Sequence, residues 1–361
     1  MLADLALAAP PTLPGVEVRA PRPDDLDGVT RLFAAAAAER GGSALRREDL
    51  RVRWLLLDDL RDAVLISHPD QPDLPIAYAS ATIEPGHTGA ADTEVVVHLE
   101  LQVHPAWRGR GLGAHLLHLA VHVGAGSDAP ADGDDNPDTT AAAGRAVRVR
   151  GALTESDPAA ETWFTAQGFR PARHLLELRL DLHAPPPSPR WPDGVTARVY
   201  RPGIDDELLW RTHQAAFADV ATHLPIGRAD YLDDRRPARD PGLVLFAEDH
   251  RAEHGDAAQA DGPAVVGLAV CRAGTEVAAE DGWVRDLGVV PARRRQGIAM
   301  ALLRTTFAAF RARGLTGVAL EVDDVTLDGA VALYRRAGMR VTRRTDVLEL
   351  LTRPEPLPRR R

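Results

Sequence analysis

The chain has 361 residues, 45% of them hydrophobic, and a formal net charge of −9. That length suits about two domains with cores of ordinary size, and the acidic balance argues against a nucleic-acid surface. All 43 basic Lys/Arg positions are arginine, which excludes Schiff-base and lysine-base chemistry, and the single Cys271 excludes an internal disulfide framework and points to a reducing compartment.

Met1 to Gly15 is mildly apolar but carries Asp4 and no basic run, and reads as a loose tail rather than a signal peptide. No apolar stretch approaches the 18 or so residues of a membrane span. Val16–Arg19 reads as a strand and Pro23–Arg40 as a helix with Leu26, Val29, Leu32 and Phe33 on one face. A second helical run covers Leu45–Leu60, and Ala63–Ile66 with Ile76–Ile83 reads as a hairpin. Glu94–Val103 is the central strand and Leu112–Val123 the helix after it. Gly124–Gly144 is rich in Gly, Ala, Asp and Pro and is expected to be a disordered acidic insertion. Ala146–Leu153, Pro158–Gln167 and Leu175–Leu182 follow as strand, helix and strand.

The prolines of His183–Pro189 mark a semi-rigid linker. The same order then returns: a strand at Gly282–Val290, a helix at Ile298–Arg313, a strand at Val318–Val322 and a helix at Leu327–Ala337, with Arg251–Gly262 as a polar loop inside a hairpin. The expected boundaries are 16–182 for domain one, 183–194 for the linker, 195–352 for domain two, and 353–361 for a C-terminal tail.

The repeat is clearest where each strand meets its helix. Leu101-Gln102-Val103-His104-Pro105-Ala106-Trp107-Arg108-Gly109-Arg110-Gly111-Leu112-Gly113 aligns without a gap, 186 residues on, with Leu287-Gly288-Val289-Val290-Pro291-Ala292-Arg293-Arg294-Arg295-Gln296-Gly297-Ile298-Ala299. Glycines allow a tight turn and close ligand approach. The following helix aims free N–H groups and the positive end of its dipole at the loop, and arginines flank it, so the segment is an anion cradle. A P-loop would need Gly-Lys-Ser/Thr, and a dinucleotide fold would place its glycines near the start of the domain. Neither condition holds.

Arg108-x-x-Gly111-x-Gly113 and Arg294-x-x-Gly297-x-Ala299 resemble the Arg/Gln-x-x-Gly-x-Gly/Ala signature of the GNAT acetyltransferases, and a downstream helix ends in Gly168-Phe169 or Gly338-Met339 as in that family. The two-domain layout is similar to that of the actinobacterial mycothiol synthase group. The resemblance implies an α/β (α+β) fold of two tandem GNAT domains, each a mixed, mostly antiparallel sheet flanked by helices. It implies acetyl-CoA as co-substrate, no metal, and a small-molecule amine as acceptor, with catalysis in the C-terminal domain and a degenerate or regulatory N-terminal one, in a cytoplasmic enzyme that is a monomer or homodimer and binds neither nucleic acid nor membrane; the alternatives are a non-catalytic acyl-CoA-binding protein and a protein N-terminal acetyltransferase.

By that resemblance the cofactor contacts are Leu287, Gly288, Val289, Arg294, Arg295, Gln296, Gly297, Ile298 and Ala299 in domain two. In domain one they are Leu101, Gln102, Val103, Arg108, Gly109, Arg110, Gly111, Leu112 and Gly113. A bulge at 287–289 and at 101–103 is expected to aim a backbone N–H at the thioester carbonyl. Tyr334 stands where the family places the acid for the leaving thiolate, and domain one has Phe164 there. Asp286 is the candidate base, with Glu100 at the same place in domain one, and Asp323 and Asp324 also end a strand. Many members have Asn where this chain has Thr326 and Asp157. Acceptor recognition is expected within His213–Arg236, including His223 and Asp230. Cys271, in an apolar run, reads as a packed strand residue. His115, His118 and His122 share a helix face, but no carboxylate completes a metal site.

Overall fold

In the computed structural model the described residues are 15–40, 45, 47–55, 57, 62–69, 74–84, 94–125, 146–154, 157–220, 227–235, 240–251, 263–274, 280–323 and 329–353. The chain divides into two units, Met1–Arg173 with Thr345–Arg361, and His174–Arg344. No helix among the described residues is long and apolar enough to cross a membrane.

Unit 1 contains β1 (Glu17–Arg19), α1 (Leu26–Arg40), α2 (Arg47–Leu55), β2 (Ala63–Ser67), β3 (Ala77–Ile83), β4 (Glu94–Val103), α3 (Leu112–Ala125), β5 (Ala146–Thr154) and α4 (Pro158–Ala166). Strand period two puts Val95, Val97, Leu99, Leu101 and Val103 of β4 on one face. There they meet Leu112, Leu116, Leu117 and Ala120 of α3 at helical spacing. The opposite face takes α1 and α2 through Leu26, Val29, Leu32, Leu50 and Trp54, with Tyr78 of β3 beneath them. Pairing is antiparallel except between β4 and β5.

Unit 2 repeats the plan. It contains β7 (Val195–Val199), α5 (Asp206–Phe217), α6 (Arg228–Arg235), β8 (Val244–Asp249), β9 (Ala264–Ala273), β10 (Asp281–Val289), α7 (Ile298–Ala312), β11 (Gly317–Asp323) and α8 (Ala330–Arg336). Leu302, Leu303, Phe307 and Phe310 of α7 are wholly buried on one face. Each contributes about 1.5–3 kcal/mol on burial, so the cradle's helix is anchored by its apolar side. Leu209 of α5, Tyr231 of α6, and Phe246 and Leu268 of the sheet form the core on the other face.

One expectation is corrected by strand pairing. β6 (Arg170–Asp181) does not close the first repeat: from Leu175 to Asp181 it pairs antiparallel with β11 inside unit 2. β12 (Arg340–Thr352) likewise leaves the second repeat, and from Thr345 to Thr352 it pairs antiparallel with β5 inside unit 1. Alternation identifies a strand but not its sheet, and the charges here supply the discrimination. Glu349 of β12 accepts from Arg148 at 2.8 Å and Arg150 at 2.7 Å on β5. Arg179 of β6 donates to both oxygens of Asp281, at 2.6 and 2.9 Å. Such pairs each stabilise by about 0–1 kcal/mol, enough to select register though not to hold a fold.

A second correction concerns the start of the acidic insertion. Gly124 is a buried residue of α3, and a Cβ there would come within 2.7 Å of Val147 and 2.8 Å of Val97. Residues 126–144 of that segment, residues 1–14 and 354–361 of the tails, and residues 252–262 of the polar loop lie outside the described residues.

Candidate active site

In unit 2 the strand β10 ends at Val289, a single 3-10 turn spans Pro291–Arg293, and α7 begins at Ile298. Between them Arg295 (φ 64°) and Gly297 (φ 90°) take the left-handed conformation. The amides of Ile298 and Ala299 therefore open onto the loop as unsatisfied first-turn donors. A Cβ at Gly297 would have nothing within 4 Å, so the space before the helix is open. Unit 1 makes the same turn with Gly109 (φ 73°) and Gly111 (φ 80°) before Leu112. Ile298 and Leu112 are buried in their cores, which leaves them only backbone groups to offer a ligand.

The flanking arginines have unequal freedom. Arg293 is held by the buried Asp249. Arg294 donates to Asp219 at 2.6 and 2.8 Å, to the Ala216 carbonyl at 2.9 Å and to the Val289 carbonyl at 3.0 Å. It thus ties the loop to the end of α5. Arg108 does the same in unit 1, reaching Glu39 at the end of α1. Arg295 is exposed, as are Gln296 and Gly297, and has no carboxylate partner among the described residues. Arg110 lies 4.6 Å above the Trp107 ring. Gly113 faces the Trp163 indole, which a Cβ would approach to 3.0 Å, whereas Ala299 occupies the equivalent place in unit 2.

The bulge lies earlier than the sequence suggests. β10 pairs with β9 in continuous register from Asp286 to Val289, and the shift falls between Val284 and Asp286. Leu287, Gly288 and Val289 are regular ladder residues opposite Ala269, Leu268 and Gly267. The extra residue reverses the alternation, so Val284, Leu287 and Val289 share the α7 side. Asp286 is thereby turned to the opposite face, under α5. In unit 1 the pairing of β4 with β3 runs from Val97 to Val103 without any shift, so Leu101, Gln102 and Val103 form no bulge. The parallel neighbours also differ. β10 leaves β11 after Trp283, while β4 stays with β5 through Leu99.

Two side chains face each other at the bulge, and the charge of one acts on a third. His213 of α5 brings Nε2 to 3.8 Å from Oδ1 of Asp286, with side-chain exposures of 3% and 10%. Tyr334 of α8 is buried, and burial together with the Asp286 charge pushes its phenol up to about 12. The approach of α5 depends on Gly288, where a Cβ would stand 2.9 Å from both Ala216 and the Phe217 ring. Phe217 and Tyr231 hold the His213 ring at centroid distances of 4.7 and 4.6 Å. His213 fell within the segment expected to recognise the acceptor, but nothing local in the sequence joins it to Asp286.

Unit 1 has other residues at these places. Phe164 packs over Gly151, whose Cβ would lie 2.6 Å from its ring, and edge-on to Trp163 and Phe169. Glu100 is paired with Arg53 of α2. Burial raises Glu100, and Arg53 works against that rise. Counting six residues back from the carboxylate that ties each cradle arginine, Glu39 or Asp219, gives Phe33 in unit 1 and His213 in unit 2. Phe33 packs edge-on to Tyr78.

The remaining candidates lie elsewhere. Asp157 caps α4 by accepting from Ala160 N at 3.0 Å. Asp323 ends β11, Asp230 lies on α6, and Asp324, Thr326 and His223 are outside the described residues. Cys271 is buried in β9 with Thr306 3.9 Å away, and burial pushes its thiol up to about 12, as suits a packed residue. The His118 and His122 rings lie tilted with centroids 4.1 Å apart, and no group of three or more side chains that could hold a metal ion occurs among the described residues.

Residues 208–339, inside unit 2, match the acetyltransferase (GNAT) family. A mycothiol acetyltransferase of Thermobispora bispora is 32% identical over 253 residues, covering 66% of this chain and 71% of the relative. Another, from Frankia casuarinae, is 32% identical over 355 residues, covering 87% of this chain and 91% of the relative. The crystal structure of a GCN5-related N-acetyltransferase from Sphaerobacter thermophilus is similar with a TM-score of 0.73 and 29% identity, over 97% of this chain and 98% of that one.

Proposed function

The chain belongs to the GNAT acetyltransferase family, and we propose that its C-terminal unit transfers the acetyl group of acetyl-CoA to the amine of a small molecule. The observation that carries this reading is that Asp286 lies near enough for its charge to act on the Tyr334 phenol, on the strand β10 where it has parted from β11. The relatives named mycothiol acetyltransferase favour a small-molecule acceptor.

The cradle fits the pyrophosphate of the donor. The first-turn amides of α7 and the free Arg295 side chain supply donors, and Gly297 leaves the room. Arg294 holds the loop to α5 and positions it rather than meeting the phosphates. The pantetheine arm takes the edge of β10 beyond Trp283, where β11 has diverged. Asp286 accepts the proton of the amine. The neutral amine nitrogen then adds to the carbonyl carbon, and as the C–S bond breaks the departing sulfur takes the Tyr334 proton while the nitrogen gives its second proton back to the phenolate. A phenol at about 12 keeps its proton at neutral pH and can give it to a thiolate once that charge forms beside it.

Unit 1 keeps the turn and serves as a structural or regulatory partner without turnover, because Phe164 has no proton to give and Glu100 is committed to Arg53. A thiol-release assay with acetyl-CoA across an amine panel tests the whole reading. Turnover with a small amine, lost in Asp286→Asn, is the expected result; no turnover across the panel, or turnover only of peptide N-termini, overturns it.

A further inference from the structure

Building on the assignment of Asp286 as the base, we propose that His213 is the positioning residue for that carboxylate, fixing through Nε2 which oxygen faces the acceptor amine. The two groups come from distant elements, α5 and β10, and stand 3.8 Å apart with both side chains almost wholly enclosed. That distance exceeds a hydrogen bond, and closing it needs a shift of under about 1 Å, the tightening expected when a substrate enters. The imidazole cannot swing freely, because Phe217 and Tyr231 lie against it at 4.7 and 4.6 Å. Asp286 sits just past the bulge, which turns it toward α5 and the imidazole.

The comparison with unit 1 separates this role from core packing. At the equivalent place α1 carries Phe33, so a helix packed on this sheet is served by a phenyl ring. An imidazole there adds what packing does not require, a ring nitrogen 3.8 Å from the carboxylate. Where Phe33 stands, the carboxylate of Glu100 is taken by Arg53 instead.

The test uses the full chain, acetyl-CoA and the amine turned over fastest in the panel. His213→Phe lowers kcat by about tenfold or more while the KM for acetyl-CoA stays within about twofold, and His213→Gln, which keeps a donor, recovers most of the loss. Combined with Asp286→Asn, His213→Phe adds no further loss, because its effect passes through the carboxylate. Wild-type kcat in His213→Phe overturns the proposal, as do losses that multiply in the double variant. Should His213→Phe fail to fold, His213→Leu is carried through the same cycle with the same criterion of non-additivity. Full kcat in Asp286→Asn would overturn the base assignment itself and this proposal with it, an outcome distinct from a catalytic Asp286 indifferent to His213.

Discussion

Unit 1 and unit 2 share one backbone turn, with Gly111 and Gly297 both left-handed before an apolar helix, yet they differ in the strand that leads into it. β4 runs in unbroken register beside β3 and stays with β5 through Leu99, whereas β10 bulges at Arg285 and parts from β11 after Trp283. An anion cradle needs only backbone geometry and a helix end, so it survives exchange of the side chains around it. Proton transfer needs several side chains at one point, so under the proposed mechanism the single difference between Tyr334 and Phe164 would remove it from unit 1.

The most severe break in this comparison is Gly297→Glu, which places a carboxylate in the anion site of unit 2. It should abolish turnover and weaken acetyl-CoA binding there by at least about tenfold, since hydrogen bonds to charged groups contribute about 1.5–3 kcal/mol each. The same change at Gly111 should leave turnover intact, and calorimetry with kinetics on both variants decides the matter. If Gly111→Glu is the inactive one, catalysis lies in unit 1.

Tyr334→Phe copies the unit 1 residue into unit 2. Its kcat should fall at least about tenfold, and by as much as the roughly 10²–10⁴-fold that a general acid typically supplies, with acetyl-CoA affinity unchanged. Phe164→Tyr should add no activity. Unchanged kcat in Tyr334→Phe, with chemistry rate-limiting, would assign the proton to another group.

Two glycines sharpen the contrast. Gly288→Ala pushes against Ala216 and Phe217, and Gly151→Ala against Phe164. Each should cost about 1–3 kcal/mol of stability by overpacking. Only the first moves α5 off β10, so only the first should also lower kcat. Equal effects on kcat would mean that the approach of α5 has no bearing on the chemistry.

Because the folded Tyr334 titrates at about 12, above the ordinary value near 10, its contribution to stability is complete below pH 10 and is lost as pH rises toward 12. Burial also raises Tyr78 and Tyr200, so an ultraviolet titration of the phenols should show several late steps in the wild type, of which Tyr334→Phe lacks one. A step below pH 10 assigned to Tyr334 would contradict its burial beside Asp286.

The smallest effect is expected at Arg295, which holds the left-handed conformation that Gly109 provides in unit 1. Arg295→Gly relieves about 1–2 kcal/mol of strain but gives the unfolded chain freedom that offsets about 0.4–1 kcal/mol of it. Thermal stability should rise by about 1 kcal/mol or less while acetyl-CoA binding weakens. Unchanged affinity would leave the backbone amides as the whole of the phosphate contact.

What the sequence by itself determined was local. The duplicated turn, the strand β4, the helices around Leu26 and Ile298, and the place of Tyr334 are all written in residues a few positions apart, through glycine torsions and periods of two and 3.6. Asp286 was legible as a carboxylate just before the cradle, though not its neighbour. The tertiary structure alone decided which sheet received β6 and β12, where the bulge fell, and that Asp249 and Asp219 had already claimed Arg293 and Arg294. It also decided that His213 came to rest on Asp286. Each of these is a pairing between residues far apart in the chain. An alternating strand or a charged side chain carries no local mark of its partner, so the choice is made only when packing brings the candidates within a few ångströms.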